Sequence, residues 1–390
     1  MEKILMLKYD FLIINRSFWP LYPVIGESLL RLAEKISIDK KVGIVMQDHV
    51  DIKKKLKESC RGKNVNFFPS WAISKSSSSL IVRILDSFFF MLWVVFILII
   101  HRPKTVYVST DPPVVVPFIV ALYSKFFTAK FIYHIQDIHP EATNTIYKIN
   151  DYIFFLLKKI DNFTLRNATL LITLNEEMKS QILNRLEIIK KIFTIENPSI
   201  PFEKKMMFEE KKKGFSFTGN LGRLQRIPLL LETIKKYHLK GGTLKFYFAG
   251  DGIYANTIFE QSKINPLIEY KGLITSEEAA YLSSKYEWAL LPIENEITKF
   301  AFPSKTSSYI FSGAKILAIC DKDTSVGRWV INNRLGYVVN PQITEIIDIF
   351  FKIERDELNF VNLNMDRLEL KKRLNIDNFI ESLKSKILSI

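Results

Sequence analysis

The sequence holds only two cysteines, Cys60 and Cys320. They lie far apart without the paired spacing of a zinc site or a disulfide framework, which excludes a small stapled secreted fold and fits a reducing compartment. Low-complexity tracts and internal repeats are also missing, so neither a disordered chain nor a solenoid is expected. No apolar run is long enough to cross a bilayer unaided. The charge-free stretch Ser87–Ile100 falls short of a hydrocarbon core of roughly 30 Å at about 1.5 Å per helical residue. Extension back to Leu80 takes in Arg83 and Asp86, each costing on the order of 3 kcal/mol near a bilayer centre, which an i,i+3 pairing of the two would partly offset. The segment reads as a buried helix, as a true span, or, flanked by Arg83, His101, Arg102 and Lys104, as a helix lying at a membrane surface.

Acidic residues are in deficit, 41 against 55 lysines and arginines, for a net charge of +14. That balance suits an acidic partner or surface, and the phosphates of nucleic acid, nucleotide or lipid all qualify. Lysines cluster at 53–55 and 57 and again at 211–213, but not with the aromatic interleaving of a single-strand nucleic-acid groove, so no nucleic-acid partner is expected. At the amino terminus, Asp10 and the lack of a small-residue cleavage site argue for a first strand over Ile4–Leu7 rather than a secretory signal.

With 390 residues, 48% of them hydrophobic, the chain has enough apolar material for two cores. Short apolar runs alternate with helical patterns, the signature of parallel sheets with crossover helices. The first series places strands at Val42–Met46, Thr105–Ser109, Lys130–His134 and Leu170–Thr173, with Gly26 opening a helix. Glu196–Pro201 and the charged run Glu203–Lys213 then mark a boundary. A second series starts near Gly214, with a helix over Pro228–His238 and strands at Lys245–Ala249, Leu267–Tyr270 and Trp288–Leu291. The domains expected are 1–200, 201–375 and a terminal helix over 376–390 that packs back on the first domain.

Several strand ends carry chemistry. Ala249-Gly250-Asp251-Gly252 follows a strand, and Thr218-Gly219-Asn220-Leu221-Gly222-Arg223 sets two glycines and a guanidinium at a strand-to-helix junction. Each is compatible with a plain tight turn, or with backbone amides and a cation that hold a diphosphate. Pro303-Ser304-Lys305 places another cation at a helix start. The stretch His134-Ile135-Gln136-Asp137-Ile138-His139-Pro140-Glu141 concentrates titratable groups after one strand, suited to acid/base work or recognition of a polar substrate. No spacing selects a metal.

In order and spacing, these motifs resemble the group-1 retaining glycosyltransferases of GT-B fold, as found in bacterial assembly of O-antigen, capsule or exopolysaccharide. The resemblance rests on STDPP from Ser109, HIQDIHPE from His134, ITLNEEM from Ile172, TGNLGRLQ from Thr218, AGDG from Ala249, Gly272 before a helix, and FPSKTSSYIFSGAKILA from Phe302. It implies an α/β chain of two Rossmann-like domains with parallel sheets facing an interdomain cleft. It also implies a donor site for a nucleoside diphosphate sugar: Gly219, Asn220, Gly222, Arg223 and Gly26 near the diphosphate, Asp251 and Gly252 near the base, and Ser304 and Lys305 near phosphate and sugar. Asp137, His139 and Glu141 would line the reaction centre. No metal or cofactor beyond the donor is implied. The acceptor would be a lipid-linked or growing saccharide, met at the cytoplasmic face of the inner membrane. The chain departs from the pattern at Ser308, where the family commonly has a ribose-binding glutamate, and at the lysine after the Gly-Arg loop, for which Arg226 is the substitute. A sugar-nucleotide 2-epimerase shares the fold resemblance, and a non-catalytic scaffolding subunit would accommodate Ser308.

Overall fold

Strands of this chain are short runs of branched and aromatic residues buried on both faces, as parallel sheets flanked by helices require. A computed structural model describes residues 8–22, 24–74, 80–187, 190–199, 210–358 and 367–390. The strand expected at Ile4–Leu7 and most of the linker expected after Pro201 lie outside the described residues.

The chain divides into two units, Met1–Asn197 with Ile376–Ile390, and Pro198–Asn375. In the first, strands β1 (Phe11–Ile14), β2 (Val42–Asp48), β3 (Val65–Trp71), β4 (Thr105–Ser109), β5 (Lys130–Ile135), β6 (Leu170–Thr173) and β7 (Ile192–Thr194) form one sheet in the order β3-β2-β1-β4-β5-β6-β7. All pairings are parallel. Helix α1 (Ile25–Ile36) packs on one face together with α15 (Ile376–Leu388). Arg31 Nη1 to Asp377 Oδ1 at 2.8 Å and Lys35 to Glu381 at 2.7 Å rim that contact, while Phe379, Ile380 and Leu383 of α15 are buried within the core. The other face carries α3 (Leu80–His101), α4 (Val115–Phe127) and α6 (Asp151–Asn167), with the short α2 (Ile52–Glu58), α5 (Glu141–Ile146) and α7 (Glu176–Leu186) completing the connections.

In α3 the carboxylate of Asp86 is fully buried and takes its hydrogen bonds from Gln47 Nε2 at 2.8 Å, the Ile73 amide at 3.0 Å and the Ser74 hydroxyl. Burial alone would push this carboxyl up, but the hydrogen bonds outweigh it and hold the group below the usual carboxylate range. The charge on the apolar helix is thus satisfied by β2 and the segment after β3.

The second unit repeats the plan. Strands β8 (Lys212–Thr218), β9 (Phe246–Ala249), β10 (Ile268–Tyr270), β11 (Tyr286–Pro292), β12 (Lys315–Ile319) and β13 (Gly336–Val339) run in the order β10-β9-β8-β11-β12-β13, again all parallel. Helices α8 (Ile227–Leu239), α9 (Ala255–Ile264), α10 (Ser276–Lys285), α11 (Lys305–Ser312), α12 (Ser325–Asn332), α13 (Ile343–Glu354) and α14 (Leu368–Arg373) connect them. An aromatic nucleus anchors one side: Phe215 and Phe246 stack at 4.9 Å, and both rings contact Phe350 of α13, at 4.9 and 5.1 Å. In each sheet the strand order reverses once, between β1 and β4 and between β8 and β11. Loops at such a switch point diverge and leave a crevice at the strand carboxyl ends, where ligands of open α/β sheets bind.

The turn after β9 depends on a glycine. Gly250 has φ of +138° and a β-carbon there would meet the carbonyl oxygen of Gly219 at 1.9 Å, so two loop backbones could no longer touch. Gly250→Ala is expected to cost at least about 2–3 kcal/mol from strain and overpacking together, read as a fall in the denaturant midpoint. An unchanged midpoint would show that the loop pair yields freely.

Candidate functional site

The second unit brings most of the expected donor residues together at its switch point. Two loops, Gly219–Gly222 after β8 and Gly250–Gly252 after β9, are zipped along their backbones: Gly219 N donates to Ala249 O at 2.9 Å, Leu221 N to Asp251 O at 2.9 Å, and Tyr254 N to Leu221 O at 3.1 Å. Gly222 N donates to the Gln225 side chain at 3.1 Å, which fixes the short helical turn carrying Arg223. Asn220, Arg223 and Asp251 are exposed on this rim, and Asp251 accepts from the amide of Gly252 at 2.8 Å.

Lys305 enters from the first turn of α11. Its ammonium nitrogen is buried without a hydrogen-bond partner. It sits 3.8 Å from the centroid of the Phe217 ring on β8 and 3.7 Å from where a β-carbon on Gly219 would stand. Burial pulls its pKa down to about 7, because a charged amine in apolar surroundings is disfavoured. A buried amine with no acceptor is costly, and beside the Gly219 loop and the positive end of α11 it is placed to receive an anion. Ser304 stands at the start of the same helix, exposed and with no capping hydrogen bond from its side chain, and Ser308 lies one turn further along α11, half-buried.

Arg226 has partners within the second unit itself. Its Nε donates to Ile293 O at 2.8 Å and it pairs with Glu294 at 2.9 Å, which ties the start of α8 to the loop after β11. Glu294, absent from the sequence expectation, thus stands at the β8/β11 switch point.

In the first unit the reversal between β1 and β4 is closed by Asp111. Its carboxylate accepts from Arg16 Nε at 3.1 Å, pairs with Arg16 Nη2 at 3.0 Å, and accepts from the amide of Ser17 at 2.9 Å and from the Ser17 hydroxyl. Asp137 and His139 share its field. Asp137 is pushed up to about 6 by burial and by Asp111, while burial pulls His139 down to about 4 against the opposing pull of Asp111. At neutral pH the imidazole is therefore neutral and the Asp137 carboxylate mostly ionised, a pair suited to hydrogen-bonding sugar hydroxyls. His134 is a core residue: fully buried and neutral, it contacts the Tyr107 hydroxyl and the Gln136 side chain.

Glu141 is held by two cations. It is bridged to Arg185 of α7 at 2.9 Å and to Lys158 at 3.4 Å. Arg185 also pairs with the buried Asp161 and donates to the carbonyl of His139 at 2.9 Å. Arg185 thus fixes the loop that carries His139, a role unreadable in the helix sequence Asn184-Arg185-Leu186. Gly26 lies in the first turn of α1, where a β-carbon would strike the backbone of Trp19 at 2.4 Å. The structure thus gives this glycine a packing reason of its own. Among the described residues no group of three or more His, Cys, Asp and Glu side chains is placed to hold a metal ion.

No family model matches the chain. In sequence it is 20% identical over 270 residues to the probable glycosyltransferase WbjE of Pseudomonas aeruginosa, spanning 64% of this chain and 67% of that protein. In fold it is similar to Anabaena HepE in complex with UDP (TM-score 0.64, 13% identity, 98% of this chain and 100% of that one). It is also similar to the lipopolysaccharide outer core galactosyltransferase WaaB (TM-score 0.61, 16% identity, 97% and 99%) and to TarM (TM-score 0.65, 12% identity, 100% and 99%). In sequence the chain thus resembles a probable glycosyltransferase, and in fold it is a GT-B chain, with two α/β units each built on a parallel sheet.

Proposed function

We propose that the chain transfers a sugar, with retention of configuration, from a nucleoside diphosphate sugar to a lipid-linked or growing saccharide acceptor at the cytoplasmic face of the membrane, in cell-surface polysaccharide assembly. The donor belongs to the second unit. Leaving-group departure puts negative charge on the diphosphate, so preorganised cations and helix amides are the main catalytic term available without metal chemistry. The observation that carries this reading is the orphaned Lys305 ammonium beside the Gly219 loop. Asp137 and His139 on the first unit are proposed to orient sugar or acceptor hydroxyls. HepE was solved with UDP, which makes uridine donors the first probes.

The test is thermal and denaturant stability across a panel of nucleoside diphosphate sugars. A cognate donor at 100 times its dissociation constant should add about 2.7 kcal/mol. Incubation of that donor without acceptor, followed by product analysis, should return it unchanged apart from slow hydrolysis; an epimerised donor would overturn transfer as the reaction. Stabilisation by no donor would remove the donor site itself.

A further inference from the structure

Beyond an exposed Arg83 near its start, helix α3 is apolar over most of its circumference, yet only one side of it is covered. Asp86, Phe90, Val94 and Ile97 are buried against the first unit. That side is tied down by polar contacts: Gln47 to Asp86 at 2.8 Å, Arg16 to the Ser87 hydroxyl at 2.7 Å, and the Trp93 indole to Phe68 O at 3.1 Å. On the opposite side Ile81, Ile84, Phe88, Leu92, Phe96 and Ile99 recur at intervals of three and four residues, each between 46% and 71% exposed. A helix on a water-facing surface carries polar residues there, and an apolar stripe about 27 Å long at ~1.5 Å per residue marks an interaction surface.

The stripe continues across its neighbours, since α3 packs on α4 and α4 on α6. Here the apolar surface acquires positive charge. Arg102, just past α3, lies 5.5 Å from the Phe127 ring at the end of α4; Lys125 of α4 lies 5.8 Å from Phe163 of α6; Lys159 lies 4.3 Å from Phe155. The sole acidic residue in α3 is the buried Asp86, and α4 has none. Aromatic rings and cations beside an uncovered aliphatic stripe match the boundary between anionic headgroups and acyl chains. The polar ties on the covered side exclude a crossing orientation, because a span would strip Asp86, Ser87 and Trp93 of their partners.

We propose that the outer face of α3, continued by the cation-bearing surfaces of α4 and α6, docks on an anionic lipid bilayer with α3 lying in the interface plane. The docking deepens the reading of a lipid-linked acceptor and rests on it for its purpose, though its physics is independent. The full chain is expected to co-sediment with phosphatidylglycerol/phosphatidylethanolamine vesicles and at least tenfold more weakly with phosphatidylcholine vesicles. A Phe88→Ser/Leu92→Ser/Phe96→Ser variant should lose more than tenfold in vesicle binding while keeping its circular dichroism spectrum and its donor-induced stabilisation. Lys125→Gln with Lys159→Gln should lose about thirtyfold on anionic vesicles, about fivefold per charge. The idea is overturned if the native chain binds no vesicle, binds both kinds equally, or if the triple variant binds like the native chain. It is overturned equally by a homodimer that this triple variant dissolves in the absence of vesicle binding, which would assign the face to a second copy. Vesicle binding without stabilisation by any donor would leave the docking surface standing and remove the transferase reading.

Discussion

Lys305→Met is expected to stabilise the ligand-free protein by about 2–4 kcal/mol near pH 7 and to abolish its stabilisation by donor. The unfolded lysine holds its proton up to about pH 10.4, whereas burial brings the folded group down to about 7. The unfolded chain therefore binds more protons between those values, so stability rises with pH across that window. The full penalty of roughly 4–5 kcal/mol applies below it. Loss of the cation–π contact with Phe217 offsets about 1 kcal/mol of the gain. Binding runs the opposite way. A diphosphate favours the ammonium, so donor affinity should be flat below about pH 7 and fall by up to tenfold per unit above it. At pH 8 close to one proton should be taken up on binding, measured by calorimetry in buffers of different ionisation enthalpy. In Lys305→Met both the proton uptake and the pH slope should vanish. A variant less stable than the native chain, with donor binding intact, would make Lys305 an ordinary core residue and remove the main support for the donor site.

The two-sheet architecture was readable because parallel strands are short, apolar and buried on both faces. Thr105–Ser109 and Leu170–Thr173 emerge as strands with the bounds read from sequence, since each is flanked by turn residues. Edge strand β3 gave no such signal. Val65-Asn66-Phe67-Phe68-Pro69-Ser70-Trp71 is only half-covered and contains a proline, which a sheet tolerates at its edge but which removes the apolar run that marks a central strand. The glycine loops were visible as motifs because backbone approach constrains residue type. Arg16, Arg185 and Glu294 were not visible, because a charged residue on a loop or helix reads as solvated until the fold supplies its partner. Asp111 lay inside a quoted motif, yet its work of clamping Arg16 and Ser17 spans more than ninety positions and has no local trace. Exposure of the outer face of α3 was equally hidden. A largely apolar helix has the same sequence whether a core or a membrane covers it, and only the packing of Asp86, Ser87 and Trp93 shows which side remains open.

Arg185→Leu is expected to lower stability by about 3–5 kcal/mol, the cost of leaving buried carboxylates without their cation. The side chains of Arg185 and Asp161 are 5% and 4% exposed and that of Glu141 12%, so water cannot replace the guanidinium. Burial already pushes Asp161 up to about 6 against the pull of Arg185, and removal of the arginine should raise it further. A carboxyl whose folded pKa exceeds its unfolded value binds more protons when folded. Stability then falls as pH rises from about 4 through the folded value. The deficit of the variant should therefore be largest at pH 7–8 and shrink near pH 5, where Asp161 can take up a proton. Asp161→Asn in the same background should recover part of the loss, and a double-mutant cycle would give the coupling of the pair. Because Arg185 also holds the His139 carbonyl at 2.9 Å, turnover should drop through displacement of that loop. Donor-induced stabilisation, proposed above to arise in the second unit, should persist. A deficit independent of pH, or one that Asp161→Asn deepens, would mean that Arg185 serves by packing its stem and not by neutralising the carboxylates.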